Sequence, residues 1–246
     1  MTSNIVSIDP ETGLPLGDTV STSPARRPGR TVLKGRYVTL TPLDAARHGA
    51  ELWEGTHLKD KGRLWLYLGE GPFADRAAFD AYLQRKAASE DPLFFAIINA
   101  AGEAIGVVTL MRIEPAHRTI EIGNVLFSPA LQRTPGGTET IFLLADYAFN
   151  DLGFRRLEWK CNSLHEVSRR AALRYGFTFE GVFRQHMIVK GRNRDTAWYS
   201  MLDTEWHGRR LTLETWLNPN NFNQDGTQRE TLAQIRDQLS GISGQG

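Results

Sequence analysis

The stretch from Ile120 to Leu152 constrains this chain most. An apolar run to Phe127 leads into a polar turn with paired glycines at Gly136 and Gly137, and then into an amphipathic helix. A strand entering a glycine-containing turn that opens a helix aims several unpaired N–H groups and the positive end of a helix dipole at one point. Such a point suits phosphate, so a nucleotide-bearing cosubstrate is the first chemistry to consider. An ordinary loop at Pro135-Gly136-Gly137 is the alternative. Downstream, Leu157, Trp159 and Cys161 alternate with Glu158 and Lys160 in a strand. A short helix from Ser168 to Tyr175 then stops at Gly176, a residue suited to a left-handed C-terminal cap.

Elements on either side extend this core. Tyr37 to Leu40 reads as a strand, and Leu43 to Trp53 as a helix begun by Asp44 and ended by Gly55. Asp75 to Ser89 has helical spacing. Strands Phe94 to Ile98 and Ile105 to Arg112 are joined by a turn at Asn99 to Glu103, and a second turn at Pro115 to Arg118 leads to strand Thr119 to Phe127, giving an antiparallel meander. Strands Val182 to Val189 and Thr196 to Leu202 flank a basic hairpin tip, Lys190 to Arg194, which is either a solvated loop or a contact for RNA. Trp206, Leu213 and Trp216 are packing residues of a helix from Glu205 to Leu217, Asn218 to Asn221 is a break, and residues 228–239 carry Leu232, Ile235 and Leu239 at helical spacing.

Composition limits function. Lys and Arg number 29 against 28 Asp and Glu, so no bulk charge draws the chain to nucleic acid or membrane. The single cysteine, Cys161, excludes an intramolecular disulfide and on an inward strand position reads as a small core residue, which fits the cytoplasm. There is no apolar run long enough to span a bilayer and no signal-peptide pattern. Six histidines without a His-x-x-x-His pair give no metal signature. Residues 1–30 have the composition of an extended arm, 31–217 of the folded domain, and 218–246 of a C-terminal extension with a short helix that docks on its own domain or mediates a homodimer.

The order of strand, phosphate turn, helix, strand, helix and Gly-Phe resembles the GNAT acetyltransferase superfamily, and most closely its RimJ/RimL-type ribosomal-protein N-terminal acetyltransferases. The resemblance is carried by Arg112-Ile113-Glu114-Pro115, Glu121-Ile122-Gly123, Gln132-Arg133 with Thr138-Glu139, Arg155-Arg156, Lys160-Cys161, Ser168, Gly176-Phe177 and Glu180-Gly181. It implies a mixed α/β GNAT fold: a mostly antiparallel twisted sheet with flanking helices and two splayed strands that admit the acyl-pantetheine arm of acetyl-CoA. It implies transfer of an acetyl group by direct attack of a primary amine, either a protein N-terminus or a small molecule. A non-catalytic acyl-CoA-binding scaffold and transfer of a larger acyl group are the alternatives.

The same resemblance assigns roles. Backbone groups near Leu126 and Phe127 bind pantetheine amides, and Gln132, Arg133, Gly136, Gly137 and Thr138 form the pyrophosphate turn. Pro135 stands where that turn expects its first glycine and removes one N–H donor, a loss that Arg133 can offset. Ala172 occupies the position of the tyrosine that protonates the departing thiolate in many members, and Tyr175 is three residues away and packs. Ser168 becomes the candidate for assisting thiolate departure, with helix capping as a competing or additional role. Glu121 is the candidate base, Glu114 the weaker second, and structural pairing the alternative for both. Trp65 and Tyr67 are candidates for the acceptor wall, with core packing as the alternative, and His165 stands where relatives often have Asn, as an acceptor contact or a titrating group.

Overall fold

The computed structural model describes residues 7–57 and 61–243. The ends of the expected arm and C-terminal extension, 1–6 and 244–246, lie outside the described residues. In chain order come β1 (Ser7–Ile8), β2 (Pro15–Leu16), β3 (Leu33–Lys34), β4 (Thr39–Pro42), α1 (Ala45–His57) and α2 (Arg76–Ala87). The meander β5 (Leu93–Ile98), β6 (Ala104–Glu114) and β7 (Thr119–Phe127) precedes α3 (Pro135–Asp146). Then follow β8 (Arg156–Asn162), α4 (Glu166–Tyr175), β9 (Thr178–Val189), β10 (Arg192–Leu202), α5 (Asp203–Leu217) and α6 (Leu232–Ser243).

One sheet of order β3-β4-β5-β6-β7-β8-β10-β9 organises the molecule, and its pairs are antiparallel except β7 with β8. This is the mostly antiparallel sheet with flanking helices anticipated from the sequence. Helices α1 and α2 cover β5 and β6 over a core of Leu52, Phe79, Leu83, Phe94 and Ala96. On the opposite side the larger core joins Leu110, Ile120, Leu157 and Tyr199 of the sheet to Leu144 of α3 and Leu213 of α5. Leu232 and Ile235 of α6 belong to that same core, so the C-terminal helix docks on its own chain. The arm lies along the fold as well: Ala25 N–H donates to the Pro115 carbonyl at 3.0 Å and Arg26 N–H to that of Leu152 at 2.9 Å.

Several boundaries differ from those read in the sequence. Asp44 does open α1, accepting from the N–H groups of Ala46 and Arg47, but Gly55 lies inside the helix. There a β-carbon would sit 3.3 Å from Cβ of Ser128, so close packing accounts for the glycine. Gly136 and Gly137 are likewise helical: the turn spans residues 128–134, and Pro135 is the first residue of α3. At that position the missing N–H is one the helix leaves unpaired anyway. A β-carbon on Gly136 would meet Val38 Cγ1 at 2.7 Å, so the glycine lets α3 close against the turn between β3 and β4. The helix expected from Ser168 begins at Glu166, and Gly176 caps it at φ 99°. Glu114 ends strand β6. The β9–β10 tip is shorter than expected because Lys190 and Gly191, at φ 50° and 70°, turn the hairpin alone.

A clamp at the start of the sheet was not read from sequence. The buried Glu139 carboxylate on α3 accepts the N–H groups of Arg36, Tyr37 and Val38 at 2.8, 2.6 and 2.8 Å. It thereby fixes the first turn of the helix to the turn between β3 and β4.

Candidate active site

Strands β7 and β8 run parallel and pair only from Thr119–Arg156 to Ile122–Trp159. Beyond that point residues 123–127 of β7 and 160–162 of β8 are not paired with each other. The parting has a local cause. Between the pairs Val107–Leu126 and Thr109–Gly123, β7 advances one residue more than β6, with Asn124 at φ 48°. Such a bulge bends its strand and increases the twist. Asn124 holds the bend by donating its amide to Thr109 Oγ1 at 3.2 Å.

A cavity of about 230 Å³ opens at this parting, lined among others by Tyr67, Glu121, Asn124, Lys160, His165, Ser168 and Arg194. Four of the residues anticipated from the sequence, Tyr67, Glu121, His165 and Ser168, therefore meet in one place. Glu121 is buried on β7, and its carboxylate lies 3.0 Å from Lys160 Nζ and 3.0 Å from Arg112 Nε. A second bulge, in β6 with Arg112 at φ 48°, is where the Arg112 side chain turns to Glu121. Burial pushes the Glu121 carboxyl above its ordinary value of 4.5, and Lys160 and Arg112 oppose that shift. The Lys160 side chain is itself largely covered, 2.5 Å from Glu158 and 3.8 Å from the centre of the Trp198 ring. The alternation on β8 carried the signal for Lys160, since it places Lys160 beside Glu158 on the face opposite Trp159.

Ser168 does not cap α4: His165 precedes the helix, and its side chain makes no cap bond. Instead the indole N–H of Trp159 donates to Ser168 Oγ at 3.0 Å. That bond uses a lone pair of the hydroxyl and leaves its proton for an acceptor such as the adjacent Cys161 sulfur. Cys161 is buried beside it, and burial pushes its thiol up, away from thiolate character. Tyr175 packs at 6.0 Å from the Trp159 ring, and Ala172 is fully buried.

On the far wall Tyr67 stacks on His165, with centroids 4.3 Å apart and planes inclined by 19°. Burial and the nearby Arg194 lower the pKa of His165, which keeps it neutral at pH 7. Trp65 is not part of this wall. It is fully buried, stands among His57, Phe73, Phe79 and Tyr82, and donates its indole N–H to the Thr56 carbonyl at 3.1 Å. The indole packs against His57 of α1 and against Phe79 and Tyr82 of α2. The basic tip is also drawn into the fold, since Lys190 Nζ donates to the Trp65 carbonyl at 2.7 Å.

The residues expected at the coenzyme's other end lie apart from the cavity, along the free stretch of β7 and the start of α3. Gln132 gives its amide to the Phe127 carbonyl at 2.9 Å, which ties the turn to the strand and occupies that acceptor. Leu126 is buried in the core beneath α1. Arg133, at φ 62°, is exposed and joins no ion pair among the described residues. Gly136, Gly137 and Thr138 are buried in the first turn of α3, and Thr138 Oγ1 accepts from Arg174 at 2.9 Å. Arg174 was missed in the sequence because the contact joins the end of one helix to the start of another. The unpaired edge of β7, the helix start and the free Arg133 together suit an extended, anionic cosubstrate. Among the described residues no group of three or more His, Cys, Asp or Glu could hold a metal ion.

Residues 38–178 match the model of the acetyltransferase (GNAT) domain. The chain is similar to the crystal structure of a GCN5-related N-acetyltransferase from Brucella melitensis, with 48% identity and a TM-score of 0.86 over 87% of this chain and 98% of that one. It is also similar to the "Uncharacterized N-acetyltransferase YoaA" of Bacillus subtilis (strain 168), 34% identical over 100 residues, a match spanning 41% of this chain and only 56% of that relative. A longer match, 28% identical over 179 residues, covers 70% of this chain and 92% of the "Putative ribosomal N-acetyltransferase YdaF" of the same organism.

Proposed function

We propose, from the premise that the chain belongs to the GNAT acetyltransferase family, that it moves an acetyl group from acetyl-CoA to a primary amine by direct attack. The observation that carries this reading is the parting of β7 and β8 after Ile122 and Trp159, with Glu121 and Ser168 both lining the cavity that opens there. In this reading the pantetheine arm lies along residues 123–127 of β7, and Arg133 and the start of α3 receive the pyrophosphate.

An amine acceptor is largely protonated at pH 7, since α-amines have pKa values near ~8 and side-chain amines near ~10. The Glu121 carboxylate takes that proton, and its raised pKa brings it closer to the amine it must deprotonate. The amine nitrogen then attacks the thioester carbonyl carbon. As the C–S bond breaks, the Ser168 hydroxyl, held by Trp159, hydrogen-bonds the departing thiolate, and the sulfur takes up the second proton that the attacking nitrogen loses, so that amide and free thiol result. Tyr67 and His165 form the wall against which the acceptor rests. The likeness to YdaF supports a ribosomal-protein N-terminus, as in the RimJ/RimL type, as one acceptor class, and a small amine is the other. The lone cysteine supports a reducing, cytoplasmic setting.

Thiol release from acetyl-CoA, measured against N-terminal peptides and small amines, tests the reading. Amine-dependent release supports it. Coenzyme binding without release from any amine would point to a scaffold that holds acyl-CoA, and a preference for longer acyl chains would replace acetyl by a larger donor.

A further inference from the structure

The cavity's charges do not balance. Four charged side chains line it: Arg112, Glu121, Lys160 and Arg194. Arg112 and Lys160 converge on Glu121, and Lys160 has Glu158 besides. Arg194, on β10, enters none of the ion pairs among the described residues, and its Nε is buried without a hydrogen-bond partner. The side chains facing it are Cys161 and His165 from the β8–α4 segment, Glu121 from β7, Arg112 from β6 and His186 from β9. Glu121 attracts it but is already held by two closer cations. The field of Arg194 is felt across the cavity, where it helps to keep both His165 and His186 neutral.

A half-buried guanidinium without a counterion of its own carries a desolvation cost that the attraction of the shared Glu121 returns only in part. The guanidinium fork matches a carboxylate or another planar or tetrahedral oxyanion. We propose that the acceptor is a small amine that also carries an oxyanion, of the amino-acid class, and that Arg194 receives its carboxylate while the amine faces Glu121. This rests on the acetyltransferase reading and narrows its acceptor. The same charge pattern rejects polyamines, because a second ammonium would meet Arg194 and find no free carboxylate on the cavity wall.

The test compares free amino acids with the same amino acids as carboxamides in a thiol-release assay, with phosphoethanolamine and spermidine as further acceptors, on wild type, Arg194→Met and Arg194→Lys. Wild type should favour the carboxylates by about 10- to 100-fold in kcat/KM, the range of a charge-assisted bidentate pair. Arg194→Met should remove that preference by raising KM for the carboxylates far more than for the carboxamides, with coenzyme affinity intact. Arg194→Lys should restore part of it. Phosphoethanolamine matching the amino acids would identify a phosphate-bearing amine as the source of the oxyanion in place of a carboxylate. Equal use of acids and amides by wild type, a preference for spermidine, or an equal loss on both in Arg194→Met would overturn the proposal. Titration of N-acetylated amino acids and their amides by calorimetry separates it from the catalytic reading. Arg194-dependent binding of the acids with no thiol release would retain the anion site and remove the transferase, whereas release that ignores the carboxylate would do the reverse.

Discussion

Removing one oxygen charge at Glu139 should loosen the fold by an amount that its geometry sets. Oε2 accepts two backbone N–H groups, from Tyr37 and Val38, and Oε1 accepts the third, from Arg36. In Glu139→Gln the amide oxygen can keep the pair, but the NH2 group then faces the Arg36 N–H, donor against donor. One charge-assisted bond is lost and two become neutral, at about 1.5–3 kcal/mol for a bond to a charged group against about 1 kcal/mol for a neutral one. The expected loss is at least about 3 kcal/mol, the low end of that range, and at least about 5 kcal/mol for Glu139→Ala, which leaves three N–H groups to water that must enter the space. At ~2–4 °C per kcal/mol for a chain of this size, Glu139→Gln should lower Tm by roughly 6–12 °C. Urea unfolding followed by circular dichroism gives the free energy directly. A loss below about 0.5 kcal/mol for Glu139→Gln would refute the clamp.

Other perturbations have distinct signatures. Glu121→Gln should cut kcat by at least ~10²-fold with little change in coenzyme affinity, and stopped turnover assays would show it. Because burial holds the Glu121 carboxyl above 4.5, activity should fall as pH drops through that raised value, and Lys160→Met, which removes a lowering cation, should move this acid limb to higher pH. The stability sign follows: the unfolded chain releases the proton first, so stability falls as pH rises from 4.5 towards the folded value and is full below 4.5, a trend that Glu121→Gln should abolish in pH-dependent melts. Ser168→Ala should slow turnover more than it weakens binding, and Trp159→Phe should reproduce part of that loss without touching Ser168; equal kinetics in both would remove the pair from the mechanism. Arg133→Ala should raise the Kd for acetyl-CoA about 10-fold and flatten its salt dependence, and an unchanged Kd would remove Arg133 from the phosphate end.

Much of the frame was legible because it is written locally. The alternation of Leu157, Trp159 and Cys161 marks β8, Asp75 accepts from Ala78 N–H to open α2, and Gly176 closes α4. Failures occurred where two solutions share one local pattern. Pro135-Gly136-Gly137 has the composition of a turn, yet proline is at ease in the first turn of a helix, and the need for Gly136 comes from Val38, far away in sequence. Leu64 to Leu68 has no period that separates wall from core, so only the fold could send Trp65 inward and Tyr67 to His165. The charges that tune the site were least visible. Arg112 and Lys160 reach Glu121 across strands, and Arg194 sits in a basic run that starts at the hairpin tip and continues into β10. Sequence spacing carries no record of such cross-strand meetings.

Titration of acetyl-CoA into the purified protein by calorimetry, followed in the same sample by thiol release on adding an amine, tests the central claim most directly. The account predicts one site per chain, affinity weakened by Arg133→Ala, and release that requires the amine and collapses in Glu121→Gln. Absence of acetyl-CoA binding, or release that is indifferent to both the amine and Glu121, would contradict it.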